Sequence, residues 1–209
     1  MSHARFDENA RKALTACVKE IETRTDAELV LVIRSRSDSY RHADYLFGAL
    51  LAFAGLVFLI LSPVTFHPTW VLVEVVLFFV LGAFVSSRTN SIKRLLTTAK
   101  LRAVKVRTSA AAMFYEAGIA NTRQETGILV YLSLLERRLE VLADRGVLQA
   151  MPALEWNAEL FELHEAARLA DAKLLETALH NLSNLLALHL PASGENPNEL
   201  ADAPRFELT

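Results

Sequence analysis

Two long apolar segments near the middle of the chain constrain its fold more than any other feature. Residues 45–61, YLFGALLAFAGLVFLIL, carry no charge, and residues 70–85, WVLVEVVLFFVLGAFV, carry one, Glu74. Each is close to the lower limit for a membrane-crossing helix, about 17 residues. Neither shows the polar face of an amphipathic helix on a soluble domain. A hairpin buried in a globular core is the competing reading. Two helices apolar all round, however, exceed what a domain in a chain of 209 residues can cover. The 52% share of hydrophobic residues is also higher than in soluble domains.

The connector between the segments, SPVTFHPT, holds two helix breakers, Pro63 and Pro68, and no Lys or Arg. The outer flanks hold Arg34, Arg36 and Arg41 on one side and Arg88, Lys93, Arg94 and Lys100 on the other. The positive-inside rule then predicts two transmembrane helices with both termini in the cytoplasm. Tyr45, Phe66 and Trp70 fall where interface anchors belong. Glu74 lies about one turn inside the outer end of its helix, within reach of the interface. The start of the chain, MSHARFDENARK, has no apolar core, so no cleaved signal peptide is expected.

The flanking sequence reads as one α/β domain. Residues 7–23 have apolar positions Ala10, Leu14, Cys17, Val18 and Ile21 at helical spacing, with Asp7 as a cap. Cys17, the one cysteine, falls on that apolar face as a small core residue. Ala27 to Ile33 is a β-branched apolar run that suits a strand buried on both faces. A long basic helix is expected from Asn90 or Ser91, with Lys93, Arg94, Lys100, Arg102, Lys105 and Arg107 on it. Its membrane-proximal turns suit anionic lipid; a solvated face is the alternative. Ile128 to Leu134 and RLEVLAD predict two more strands, joined antiparallel through Leu135 to Arg137. Met151 to about Leu190 is helical by its leucine stripe, and Pro191 stops it.

A helical crossover between the first two strands makes them parallel. The expected fold is therefore α/β: one cytoplasmic mixed-sheet domain with helices on its faces. It is built discontinuously from residues 1–42 and 90–191. The predicted transmembrane helices at 45–61 and 70–85 interrupt it, and residues 192–209 form an irregular tail.

Three stretches carry a family resemblance. TDAELVLVIRSRSDSY, TGILVYLSLLERRLEVLADRGV, and ALHLP followed by NPNEL together resemble the TPM domain family, in its bacterial subset with a membrane hairpin inside the domain. That resemblance implies a bacterial inner-membrane protein. It also implies either an accessory role in membrane-complex assembly or maintenance, or a phosphatase that uses a divalent cation at an acidic cluster. The family's typical loop before the second strand is acidic and rich in Asn and Gly, and its third strand ends in Gly-x-Gly. Here those places read NTRQETG and ADRG.

Antiparallel reversal brings the end of the third strand to the starts of the first two. Glu28, Glu125, Thr126, Asp144 and Arg145 are expected to gather there. Glu28, Glu125 and Asp144 are hard oxygen donors suited to Ca²⁺ or Mg²⁺, and Arg145 suits a phosphate oxygen. An ordinary solvated loop cluster is the competing reading. The opposite sheet end gathers Ser35, Ser37, Asp38, Tyr40, Glu136 and Arg137. It is either a surface for lipid head groups or a neighbouring membrane protein, or a plain juxtamembrane loop. The six histidines are scattered without zinc-site spacing. No phosphate-binding loop or nucleophile elbow is present. A formal net charge of -2 argues against a general nucleic-acid binder. Lipid bilayer, and another membrane protein, are the expected partners.

Overall fold

The computed structural model describes residues 6–64, 66–194, 199–200 and 204–208. Asn196, Pro197 and Asn198 of the family-like NPNEL stretch, and the polar start before Phe6, lie outside the described residues. The chain divides into two compact units: residues 6–37 with 103–208, and residues 38–102.

The larger unit is built on a four-stranded mixed sheet. Its elements are α1 (Glu8–Arg24), β1 (Glu28–Arg34), most of α5 (Ala99–Glu116), β2 (Gly127–Ser133), β3 (Arg138–Ala143), α6 (Arg145–Ala150), α7 (Ala153–Leu169), α8 (Ala172–His189) and β4 (Arg205–Glu207). The strand order is β3-β2-β1-β4. β1 and β2 run parallel with Glu28 opposite Gly127, and β2 and β3 run antiparallel with Ile128 opposite Ala143. The parallel pair and the antiparallel return agree with the order read from the sequence.

Period-2 alternation sorts the two central strands between the sheet's faces. Leu29, Leu31, Ile33, Ile128, Val130 and Leu132 join the core with α1, α7 and α8. Val30, Val32, Leu129 and Tyr131 pack with Val106, Ala110, Met113 and Phe114 of α5. This gives three layers, with helices on both faces, and explains why β1 and β2 read as unbroken apolar runs. Asp7 caps α1 by accepting from the Ala10 amide at 2.8 Å, and Asp171 caps α8 by accepting from Lys173 at 2.9 Å.

Three local expectations change. The basic helix is two helices, α4 (Asn90–Leu96) and α5, parted at Thr97 and Thr98. Arg102 holds the break by donating to the carbonyls of Arg94, at 2.8 Å, and of Thr97. The helical stretch after Met151 also divides, at Ala170, which sits at φ 52°. Finally, the tail is not wholly irregular, because Arg205–Glu207 pairs parallel with Val32–Arg34 as β4. Polar residues around a single Phe206 hid so short an edge strand.

The smaller unit holds α2 (Arg41–Leu61), α3 (Pro68–Arg88) and α4. α2 and α3 pack as a hairpin, and both are long and apolar enough to cross a membrane. Their contact is set by small residues. A Cβ on Gly48 would stand 2.6 Å from the Phe79 carbonyl oxygen, and one on Gly82 would stand 2.9 Å from the Gly48 Cα. The backbones therefore meet at a distance that no larger residue permits.

Candidate functional site

The sheet register brings the backbone of the five candidate residues to one sheet end. The Glu28 amide donates to the Thr126 carbonyl at 3.1 Å, the Asp144 amide to the Gly127 carbonyl at 2.9 Å, and the Gly146 amide to the Glu125 carbonyl at 2.9 Å. Gly146 is required by that last contact: a Cβ there would stand 2.7 Å from the carbonyl oxygens of both Gln124 and Glu125. Glu125 itself takes a left-handed conformation, φ 55°. The expected convergence of the three strand ends is present in the backbone.

The side chains divide. Glu28 is buried, and its carboxylate accepts the amides of Glu199 at 3.1 Å and Leu200 at 3.0 Å. A segment distant in sequence thus occupies the first of the predicted ligands. Asp144 is the N-cap of α6 and accepts from the Arg145 amide through Oδ1 at 2.7 Å. Its Oδ2 is buried without a hydrogen-bond partner, as is Thr126 Oγ1. Glu125 and Arg145 are exposed. Among the described residues, no three acidic, His or Cys side chains form a group able to hold a metal ion. The donor types suit Ca²⁺ or Mg²⁺; Glu28 is held by two amides, and Asp144 Oδ2 is left without a partner.

The opposite sheet end is more tightly built. It lies at the carboxyl ends of the parallel strands, the usual place for ligands in open α/β sheets. Ser37 donates from Oγ to Ser133 Oγ at 2.9 Å, and its Oγ lies 3.1 Å from the Tyr131 hydroxyl. The Ser37 amide donates to Glu136 Oε1 at 3.0 Å, and Ser133 donates to Glu136 Oε2. Ser109 of α5 donates to the Ser37 carbonyl at 3.1 Å. Beside this network, Arg34 pairs with Glu207 at 2.6 Å and lies over the Tyr131 ring. Arg34, Ser35, Arg36 and Glu207 line an open recess.

Of the residues expected at this end, Ser37 and Glu136 meet directly. Arg137 is a turn residue at φ 50°, while Asp38 and Tyr40 belong to the other unit. Sequence reading missed Tyr131, Ser133 and Ser109. Tyr131 and Ser133 sit within a strand whose seven residues are all buried, and polar residues ending a buried strand were the available signal. Glu136 looked like an exposed turn residue but is buried, because both its oxygens are taken up by this network.

No protein-family model matches the chain, and no curated protein matches it. The fold is similar to the NMR structure of the BA42 protein from the psychrophilic bacterium Bizionia argentinensis. The TM-score is 0.57 at 11% identity, with 96% of this chain and 94% of that chain covered. At that identity the likeness concerns the fold alone.

Proposed function

We propose that this chain is an integral membrane protein of the TPM type. In this reading α2 and α3 cross the bacterial inner membrane, with both termini in the cytoplasm. The α/β unit then serves as a docking module for assembly or maintenance of a membrane complex.

The docking role rests on the outer face of α7. Leu154 is 85% exposed and Phe161 is 68% exposed, and their spacing of two turns puts both on one side of the helix. Large apolar residues so placed suit a protein partner. The anchoring role is supported by the hairpin, whose large apolar side chains face outward, and by the cationic flanks around a connector with no Lys or Arg.

A photo-crosslinking residue in place of Phe161, in membranes of cells expressing the full chain, tests the docking role. The expected product is a discrete adduct that Leu154→Ser weakens; crosslinking to lipid alone, or to nothing, removes the reading. Fusing alkaline phosphatase or green fluorescent protein after Thr209 tests the topology. An active phosphatase with a dark fluorescent fusion would place the C-terminus outside.

The unpartnered Thr126 Oγ1 and Asp144 Oδ2 favour a second reading, a metal-assisted phosphatase acting near the membrane. Titrating Ca²⁺ and Mg²⁺ separately against thermal unfolding checks it. A rise in melting temperature that Asp144→Ala removes and Glu136→Ala keeps is the expected result of that reading. No rise in the wild type leaves the docking module alone.

A further inference from the structure

The unit of residues 38–102 includes a short helix, α4, whose position is fixed by a buried charge. α3 stops at Arg88, and α4 begins at Asn90 after a single extended residue, Thr89 at φ -119°. The chain turns there instead of continuing α3. Lys93 of α4 is almost fully buried; its Nζ donates to the Ser87 carbonyl at 3.1 Å and lies 3.6 Å from Asp44 Oδ2. Asp44, near the start of α2, also accepts from Ser86 Oγ at 2.8 Å. The lysine therefore reaches the last turn of one hairpin helix and the first turn of the other. A helix tied to both legs lies across the open end of the hairpin.

That placement sorts the remaining side chains. Lys93 and Asp44 offset each other, so the charge this end presents comes from other residues. Arg41, Arg88 and Lys100 are exposed, and among the described residues no carboxylate lies within ion-pair distance of any of them. Arg88 stacks over the Phe84 ring, 5.3 Å from its centroid, which holds its guanidinium beside the apolar surface of α3. Leu95 of α4 is 84% exposed, though the same helix buries a lysine. In water that exchange of a leucine for a lysine has no driving force. At a bilayer surface it has one, because the leucine enters the acyl boundary while the arginines remain at head-group level.

We propose that α4, with Arg88 and Lys100, forms a binding site for an anionic phospholipid of the cytoplasmic leaflet. Leu95 enters the acyl region, and the cations hold the phosphate. The site rests on the reading that α2 and α3 cross the bilayer. It would fix the depth of the hairpin and make retention of the protein depend on lipid charge.

The test uses the full chain in delipidated detergent micelles, offered equimolar phosphatidylglycerol and phosphatidylcholine, with bound lipid counted by native mass spectrometry. Preference for phosphatidylglycerol on the order of tenfold is expected for two to three interfacial cations partly screened by salt. Arg88→Gln with Lys100→Gln should bring the preference to near parity, while Leu95→Asn should lower retention of both lipids. Equal binding of the two lipids by the wild type, or a preference that survives the double substitution, overturns the site. Competition by millimolar inorganic phosphate would also overturn it, by showing a free-anion site. Flotation of the same protein with phosphatidylcholine vesicles separates the two levels. A chain that floats but shows no preference loses only the lipid site; one that does not float loses the membrane hairpin as well.

Discussion

α8 and α3 are both rich in large apolar residues, yet they bury opposite things. α8 hides Leu175, Leu179, Leu182 and Leu186 and exposes Lys173, Thr177, His180 and Asn184. α3 hides Gly82 and Ser86, while Leu72, Val76 and Phe84 face outward, Leu72 with 69% of its surface exposed. α2 follows α3, burying Ala43, Asp44, Gly48 and Ala52, with Leu59 as its one large buried residue. The difference is the one expected between a helix facing water and a helix facing lipid. Where water is outside, removing apolar area from it drives packing. Where lipid is outside, that drive vanishes, and close backbone approach and internal polar contacts hold helices together. Apolar content alone does not separate these cases; the size and polarity of what lies between the helices does.

The largest effect that would sharpen this contrast lies at the polar interior of the hairpin unit. Asp44→Ala leaves Lys93 buried without its carboxylate, and removing one partner of a buried pair costs about 3–5 kcal/mol. SDS titration of the full chain in mixed micelles, followed by circular dichroism, should show that loss. Adding Lys93→Met should recover most of it. If Asp44→Ala alone is neutral, the pair is not the interior fastening described above.

Leu179→Ala comes next. Leu179 is fully buried in the larger unit, and truncation there should cost about 2–5 kcal/mol. Leu72→Ala, on the outward face of α3, should leave hairpin stability within about 0.5 kcal/mol. Equal costs at the two leucines would abolish the contrast. Gly48→Leu should separate α2 from α3, with an overpacking cost of about 1–3 kcal/mol, because its side chain would enter the Phe79 backbone. Loss of a disulfide crosslink engineered between the two helices, with unchanged unfolding of the larger unit, is the expected readout.

Legibility in the sequence cut across that division. The hairpin, β1, β2 and the antiparallel return were readable because period and apolar run length depend on local sequence. The break between α4 and α5 was not. It depends on Arg102 reaching back to carbonyls at 94 and 97, and nothing in the spacing of apolar residues records that. β4 was hidden because three residues carry too little pattern. At the candidate site, the meeting of strand ends followed from topology. The state of Glu28 did not, since the amides that occupy it belong to residues 199 and 200, more than 170 positions away. Ser133 and Glu136 were opaque for a related reason: a polar side chain buried by mutual hydrogen bonding looks, in sequence, like one left in water.

The smallest expected effect concerns Cys17, which ties α1 to the water-driven core. It lies between Leu14 and Ile21 on the buried face of α1. Burial, then the nearby charges of Glu176 and Glu20, push its thiol pKa up to about 11 from an ordinary value of 9.0. A folded-state pKa above the unfolded one means that folding favours the protonated thiol. Its contribution is complete below about pH 9 and is lost as pH rises through about 11. The wild type should therefore lose stability across that window more steeply than Cys17→Ala, whereas below it the difference between the two should be constant. At neutral pH the thiol should react with maleimide only as fast as the larger unit opens. Rapid labelling of the native full chain would turn the Cys17 face of α1 outward and remove that helix from the packing side of the comparison.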